Sequence, residues 1–196
     1  MTPYYELFVR LVAPYHAVLV HFPVALWTTV ALIVFYRAIS DGAVARAGDK
    51  ILVPLLVLSI FSGIAALVSG LLIFPLEAAG ASPLIRNHIL AASWSLAYWT
   101  VFLVTRWING ETVWKGANRW IMLGLAALGT LLITVTGTVG GHIAGKPTTV
   151  SIVLGWFGWD VYDTFFVPDA MLWLIGAAII GLPALGWWGS RRSHQS

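Results

Sequence analysis

Hydrophobic residues occupy five long, nearly unbroken runs along the chain, and shorter polar stretches separate them. The runs cover residues 11–36, 51–76, 84–104, 120–139 and 170–188. Each approaches or exceeds the length of about 20 residues that an α-helix needs to cross a hydrocarbon core of about 30 Å. Because apolar positions follow one another instead of alternating, helices are favoured over the strands of a membrane barrel. The pattern therefore predicts an all-α integral membrane bundle of five transmembrane helices.

The connections between the runs predict how the helices follow one another. The polar segments 39–50 and 107–118 and the turn 77–83 are short, so the first four helices should be antiparallel neighbours. The connection 140–169 is longer and rich in aromatic residues, which favour the water–lipid boundary. We expect it to lie flat on the outer surface or to fold over the bundle as a shield. Residues 1–196 then form a single membrane domain.

Composition and charge support a membrane protein and predict its orientation. Hydrophobic residues make up 59% of the chain and charged residues only 10%, against about 25% charged in soluble domains. With the N-terminus outside and the C-terminus in the cytoplasm, basic residues concentrate on the inner side, as the positive-inside rule requires. They serve as topology signals and leave no patch for nucleic acid. The inner residues are Arg37, Arg46, Lys50, Arg106, Lys115, Arg119, Arg191 and Arg192, and the outer ones are Arg10, Arg86 and Lys146.

The residue types that remain for chemistry are few. The chain has no cysteine, which excludes disulfides, c-type haem attachment and thiolate metal sites. It also lacks the H-E-x-x-H pattern of a zinc hydrolase, and its three methionines are scattered. Histidine is the remaining candidate, because a histidine within an apolar segment is costly without a partner. The four that lie in or beside such segments, all toward one predicted membrane face, are His16, His21, His88 and His142.

Helix counting separates these histidines into two levels. At about 1.5 Å per residue, His21 lies roughly 22 Å and His88 roughly 25 Å from the inner helix ends. Two imidazoles at matched depth on different helices suit axial ligation of a haem b, and helix bundles commonly hold cofactors in this way. Arg86 or Arg10 could meet the haem propionates near the outer surface. A structural role, in which each histidine hydrogen-bonds to a neighbouring helix, remains the alternative.

The other two histidines form a shallower level. The same counting places His16 roughly 30 Å and His142 roughly 34 Å from the inner helix ends. They are candidates for a second haem, for a quinone head group bound by hydrogen bonds, or for contacts with haem propionates. Pro14 and Pro23 flank the histidines of the first helix and predict a kink there.

A weak internal similarity appears when the chain is shifted by the spacing from His21 to His88. The shift carries Trp27 onto Trp94 and residues 69–70 onto 136–137. Helices one and two would then repeat as helices three and four around an axis along the membrane normal. Such a two-fold repeat would place His21 and His88 opposite each other across the bundle.

Three short motifs resemble a bacterial membrane family that is known as domain of unknown function 2231. They are the His-Phe-Pro-hydrophobic-Ala-Leu motif at residues 21–26, a histidine near the start of the third helix at His88, and a Thr-Gly-x-x-Gly-Gly stretch at residues 136–141. The resemblance covers roughly the first 145 residues and implies a multi-pass protein of the bacterial inner membrane. Some members are joined to cytochrome c-type modules, which implies an electron-transfer setting. This chain departs from the family pattern at His142.

These observations lead to one functional expectation and two alternatives. We expect a b-type cytochrome subunit of an oxidoreductase complex that transfers electrons between an outer-face partner and the membrane quinone pool. The partner would be a c-type cytochrome or a dehydrogenase subunit. The acidic outer segment, with Asp160, Asp163 and Asp169, is the candidate docking surface for a basic partner. The alternatives are a cofactor-free scaffold or assembly subunit, and a small-solute transporter.

Overall fold

The computed structural model describes residues 3–73, 82–158, 160–163 and 177, and the regular elements in this part of the chain are helical. Short 3-10 turns at Ala13–Tyr15 and Gly110–Trp114 accompany the α-helices. In chain order the α-helices are α1 Pro3–Val12, α2 His16–Leu19, α3 His21–Ile39, α4 Ala43–Ile73, α5 Pro83–Asn109, α6 Asn118–Ile143 and α7 Thr149–Trp156.

Four helical segments are long and apolar enough to cross a membrane: Glu6–Ile39, Ala43–Ile73, Pro83–Trp114 and Asn118–Ile143. They correspond to the first four predicted runs and confirm, for the described part of the chain, an all-helical, multi-pass membrane protein. The predicted fifth helix, 170–188, lies outside the described residues apart from Ala177.

Two predicted boundaries differ from the structure. The polar segment 39–50 is mostly helical, because α4 begins at Ala43 and includes Asp49 in a buried position. The polarity of this segment predicts a loop, but an ion pair allows the charged Asp49 to lie within a helix. The segment 107–118 likewise contains the end of α5 and a 3-10 turn.

The first membrane segment is interrupted where its prolines predicted a kink. Pro14 lies within the 3-10 turn Ala13–Tyr15, and a second break at Val20 separates α2 from α3. Pro23 follows in the first turn of α3, where the missing N–H of proline costs little. The breaks change the direction in which His16 and His21 project.

The four long helices form a ring in which α3 and α5 occupy diagonal positions. Both α3 and α5 pack against α4 and against α6. At the centre, Trp27 of α3 and Trp99 of α5 stack across the diagonal, with ring centroids 6.0 Å apart and planes inclined by 7°. Each indole also lies against a glycine of the next helix, Trp27 on Gly63 and Trp99 on Gly129. This aromatic pair fills the middle of the core.

One end of the ring, which we call the arginine end, is closed by ion pairs and by the turn Gly110–Trp114. Asp49 of α4 pairs with Arg106 of α5 at 2.8 Å, and both residues are buried. The Asp41 carboxylate accepts hydrogen bonds from Arg37 and from Arg119. The bond from Arg119 ties the α3–α4 turn to α6. The Arg37 guanidinium lies over the buried ring of Trp114, 5.3 Å from the centroid.

Large apolar side chains cover the outside of the bundle as well as its core. Residues on all four long helices, including Leu32, Phe61, Val101 and Leu131, are more than half exposed. Such a surface is unfavourable in water and suits contact with lipid. The exposed apolar side chains therefore support the assignment as a membrane protein.

The segment after α6 shows features of both predicted arrangements. α6 ends where Gly145 adopts a positive φ of 68° and the Lys146 N–H bonds the Gly141 carbonyl at 2.8 Å, a glycine-dependent helix stop. At the end of α7, Trp156 and Phe157 are strongly exposed, as an interfacial segment requires. Val161, by contrast, is buried on the bundle.

Candidate functional site

The end of the bundle opposite the arginine end, which we call the histidine end, contains His16, His88 and His142. The breaks around α2 bring His16 against α4, where its Nδ1 lies 3.0 Å from the Ser69 hydroxyl. That hydroxyl donates to the Ala66 carbonyl at 2.9 Å. It therefore accepts from Nδ1–H of His16, and the free lone pair of this imidazole lies on Nε2.

His88 has a closely similar environment on α5. The main-chain carbonyl of Thr136 on α6 lies near its ring. Nδ1 is buried and has no hydrogen-bond partner. Either nitrogen of a neutral imidazole can bind a metal ion.

A glycine receives each of these two rings. A Cβ added at Gly70 would lie 2.9 Å from Cε1 of His16, and one added at Gly140 would lie 2.9 Å from Cε1 of His88. Any larger residue would displace the imidazole. In both cases a main-chain carbonyl near the ring belongs to the residue four positions before the glycine, Ala66 or Thr136.

His16 and His88 lie at the same end of the bundle, near enough for a charge on one ring to affect the other. His21 is placed differently. Its side chain is exposed, and its Nδ1 contacts only the Ala17 carbonyl of the preceding turn, at 2.5 Å. The contacts in the described residues provide no support for the predicted pairing of His21 with His88.

His142 lies near the end of α6 and lines an open cleft beneath the segment that follows. Its Nδ1 is 3.2 Å from the Tyr162 hydroxyl, and the two rings meet edge to face with centroids 5.4 Å apart. Nε2 is buried and unpartnered. The cleft is lined by His142, Pro147, Ser151, Ile152, Gly155, Gly158, Asp160, Val161 and Tyr162.

The remaining predicted site residues have less defined surroundings. Arg10 is exposed on α1, and Arg86 is partly buried in the first turn of α5. Asp160 and Asp163 are exposed, as a docking surface requires, and Asp169 lies outside the described residues. Among the described residues, no group of three or more His, Asp or Glu side chains is arranged to hold a metal ion. A pair of imidazoles falls below that number.

Sequence reasoning missed several residues of the histidine end. Ser69 determines the tautomer of His16, and Asn87 is fully buried with its Oδ1 unpartnered. Nothing in the apolar pattern distinguished Asn87 from a surface residue at a helix start. A usable signal did exist for the histidines, because Trp27 follows His16 by eleven positions and Trp99 follows His88 by the same number. Eleven residues are about three turns of a continuous helix, so this equal spacing predicts that each histidine and its tryptophan share one face.

Comparison with known proteins gives no match, either among family models, among curated proteins or among solved structures. The resemblance to domain of unknown function 2231 therefore stays a prediction, and function must be argued from the site itself.

Proposed function

We propose that this protein is a membrane b-type cytochrome subunit in which His16 and His88 would hold a haem. The observation that carries the proposal is the matched environment of these imidazoles. Each projects from one of two diagonal membrane segments and rests on a glycine of the next helix. His16 is also anchored there by its hydrogen bond to Ser69, and metal-binding histidines are typically held with one nitrogen anchored and the other presented to the metal.

The residues present fit such a cofactor in their donor chemistry. His16 presents a lone pair on Nε2, and Nδ1 of His88 is buried without a hydrogen-bond partner. The hydroxyl of Ser69 fixes the tautomer of His16, and Gly70 and Gly140 leave room for the two rings. Bound haem would supply one-electron transfer, and its potential would depend on ligation and burial. The chain itself supplies the ligands, their orientation and a low-dielectric surrounding.

We further propose that the four long helices form a two-fold repeat of helix pairs. The buried positions Pro23, Trp27, Val30 and Ala31 of α3 correspond, after a shift of 72 residues, to the buried Ser95, Trp99, Phe102 and Leu103 of α5. The same shift relates His16 to His88. This register differs from the one that aligned His21 with His88, and it makes the two ligands equivalent.

The orientation and partners of the protein complete the proposal. Basic residues of the helix ends concentrate at the arginine end, which supports a cytoplasmic location for that end in a bacterial inner membrane. The histidine end then faces outward, where the exposed Asp160 and Asp163 would meet a basic c-type cytochrome or dehydrogenase subunit. Electrons would pass between that partner and the membrane quinone pool within a multi-subunit complex.

The visible spectrum of the purified, dithionite-reduced protein tests the haem. Protein from haem-replete cells should show the sharp alpha band of bis-imidazole ligation, and His16→Ala or His88→Ala should abolish it. His21→Ala is the matched control, because its ring is exposed and bonded to its own helix, and this variant should retain the spectrum. A colourless wild-type protein, or equal loss in the control, would overturn the proposal.

A second candidate function is supported by the packing of the core. The stacked Trp27 and Trp99 fill the diagonal, and His16 already has a hydrogen bond to Ser69. A cofactor-free scaffold subunit would use these contacts for stability alone. In that case His16→Ala would lower the thermal stability of a protein that is colourless throughout.

A further inference from the structure

The open cleft at the histidine end has a composition that the haem proposal does not use. Its lining comes from the end of α6, from α7 and from residues 160–162. The lining includes the polar side chains of His142, Ser151, Asp160 and Tyr162 and the apolar ones of Pro147, Ile152 and Val161, whereas Gly155 and Gly158 add no side chain. The cleft therefore combines hydrogen-bonding groups with apolar surface.

Two buried polar atoms in this region have no partner within the protein. Nε2 of His142 is buried and unpartnered, while its Nδ1 faces the Tyr162 hydroxyl. The Asn87 side chain is 1% exposed and makes only a long contact of 3.5 Å, from Nδ2 to the carbonyl of Val161, which lines the cleft. Its Oδ1 has no donor. Buried polar atoms in this state are rare, and a bound ligand is one way to satisfy them.

The chemistry of these groups selects a class of ligand. When the Tyr162 hydroxyl donates to Nδ1 of His142, Nε2 carries the hydrogen and is a donor. Such a donor suits a neutral ring that carries a carbonyl or hydroxyl oxygen, because that oxygen accepts the hydrogen bond. Asp160 in the lining disfavours an anion such as a lipid phosphate. The apolar wall suits the flat face of the ring.

We propose that this cleft binds the head group of a quinone or quinol, with His142 as the principal hydrogen-bonding residue. A molecule that is dissolved in the membrane could reach it, because the cleft is open and lies at one end of apolar, lipid-facing helices. The inference rests on the proposed function for its physiological meaning, since it locates the quinone contact. Binding itself does not require the haem.

Calorimetric titration of the purified protein in detergent with a short-tailed benzoquinone tests the site. Saturable binding is expected for the wild type, and His142→Leu should weaken it about five- to tenfold, the usual effect of one lost hydrogen bond. His21→Leu, the same change at an exposed histidine, should bind as the wild type does. Absence of saturable binding, or equal affinity for the wild type and His142→Leu, would overturn the inference.

A cleft-filling variant separates loss of the site from loss of folding. Ile152 is 58% exposed and lines the cleft, so Ile152→Trp should occlude it without removing a hydrogen bond. Leu131→Trp adds the same ring to an exposed position in the middle of α6 and serves as the control. Abolished binding in the first variant alone, with unchanged melting temperature, supports the site, and retained binding in that variant contradicts it.

The same titration distinguishes this inference from the haem proposal. His16→Ala should lose the haem spectrum and still bind quinone, whereas Ile152→Trp should keep the spectrum and lose quinone. Quinone binding by a colourless protein would leave the cleft assigned and the haem rejected. A haem-containing protein without quinone affinity would reject the cleft alone.

Discussion

Gly70 and Gly140 show how a single missing side chain determines the position of an imidazole. Each lies where a Cβ would come within 2.9 Å of a histidine ring, closer than any real Cβ approaches a neighbour. The histidine can lie against the helix backbone only because the glycine leaves an empty space there, which we call a notch. Membrane helices use small residues to approach each other, and here the approaching group is a side chain.

Gly70→Ala and Gly140→Ala should therefore displace His16 and His88 respectively. Overpacking at such contacts costs about 1–3 kcal/mol, and we expect a lower thermal midpoint together with loss of the haem spectrum. Gly137→Ala is the control on α6, because its Cβ would meet nothing within 4 Å and alanine favours a helix. Thermal unfolding followed by circular dichroism measures the difference. Equal behaviour of all three variants would show that the notches are not required.

Asp41 provides a residue-level prediction of pH dependence at the arginine end. Hydrogen bonds from Arg37 and then Arg119 hold the pKa of its carboxyl below its usual value. A carboxyl with a lowered pKa in the folded state stabilises the protein above its unfolded pKa, and this stability is lost as pH falls through the folded pKa. The thermal midpoint of the wild type should thus fall more steeply below the usual aspartate range than that of Asp41→Asn. Glu111→Gln, which removes another exposed carboxylate near this end, should follow the wild type.

At the scale of helices, a buried ion pair connects α4 to α5. Nε and Nη2 of Arg106 both donate to Oδ1 of Asp49, at 3.1 and 2.8 Å, and the two residues are 7% and 6% exposed. The pair explains why the polar start of α4 is helical and packed. Arg106 and Asp49 also hold the two helices together at the arginine end of the bundle.

Removing one partner of this pair should be much worse than removing both. Asp49→Ala leaves the Arg106 guanidinium buried without a counter-charge, which typically costs about 3–5 kcal/mol. The double variant Asp49→Leu with Arg106→Leu replaces both charges by apolar groups and should recover most of that loss. Denaturant unfolding of the three proteins provides the comparison. A double variant no more stable than Asp49→Ala would indicate that the pair itself stabilises the fold.

The geometry of α3 also explains why counting residues along the helix favoured His21 as a haem ligand. Counting along a continuous helix gives height in the membrane but says nothing about the face on which a residue lies. At 3.6 residues per turn, the nine residues from His21 to the fully buried Val30 make two and a half turns, so the two point in opposite directions. Because α3 is apolar on every face, its sequence pattern did not reveal which face is buried.

For the whole molecule, the lengths of the apolar runs predicted the all-α class and the number of membrane-spanning segments in the described chain. This was possible because the hydrocarbon thickness sets the length of such a run directly. The site did not follow in the same way. It depends on the breaks at Ala13–Tyr15 and Val20, on Ser69, and on the notches at Gly70 and Gly140. These are local packing features between segments distant in sequence, and a single chain's hydrophobic pattern carries little information about them.

The orientation of the whole molecule can be tested because the chain contains no cysteine, so one introduced thiol reports one position. Lys146→Cys lies at the histidine end and Lys115→Cys at the arginine end, and both native side chains are exposed. If basic residues are retained on the cytoplasmic side, a membrane-impermeant maleimide should label Lys146→Cys in right-side-out vesicles and Lys115→Cys only in inverted ones. The cysteine-free wild type corrects for background labelling. The opposite pattern would place the histidines toward the cytoplasm and exclude an outer-face redox partner at Asp160 and Asp163.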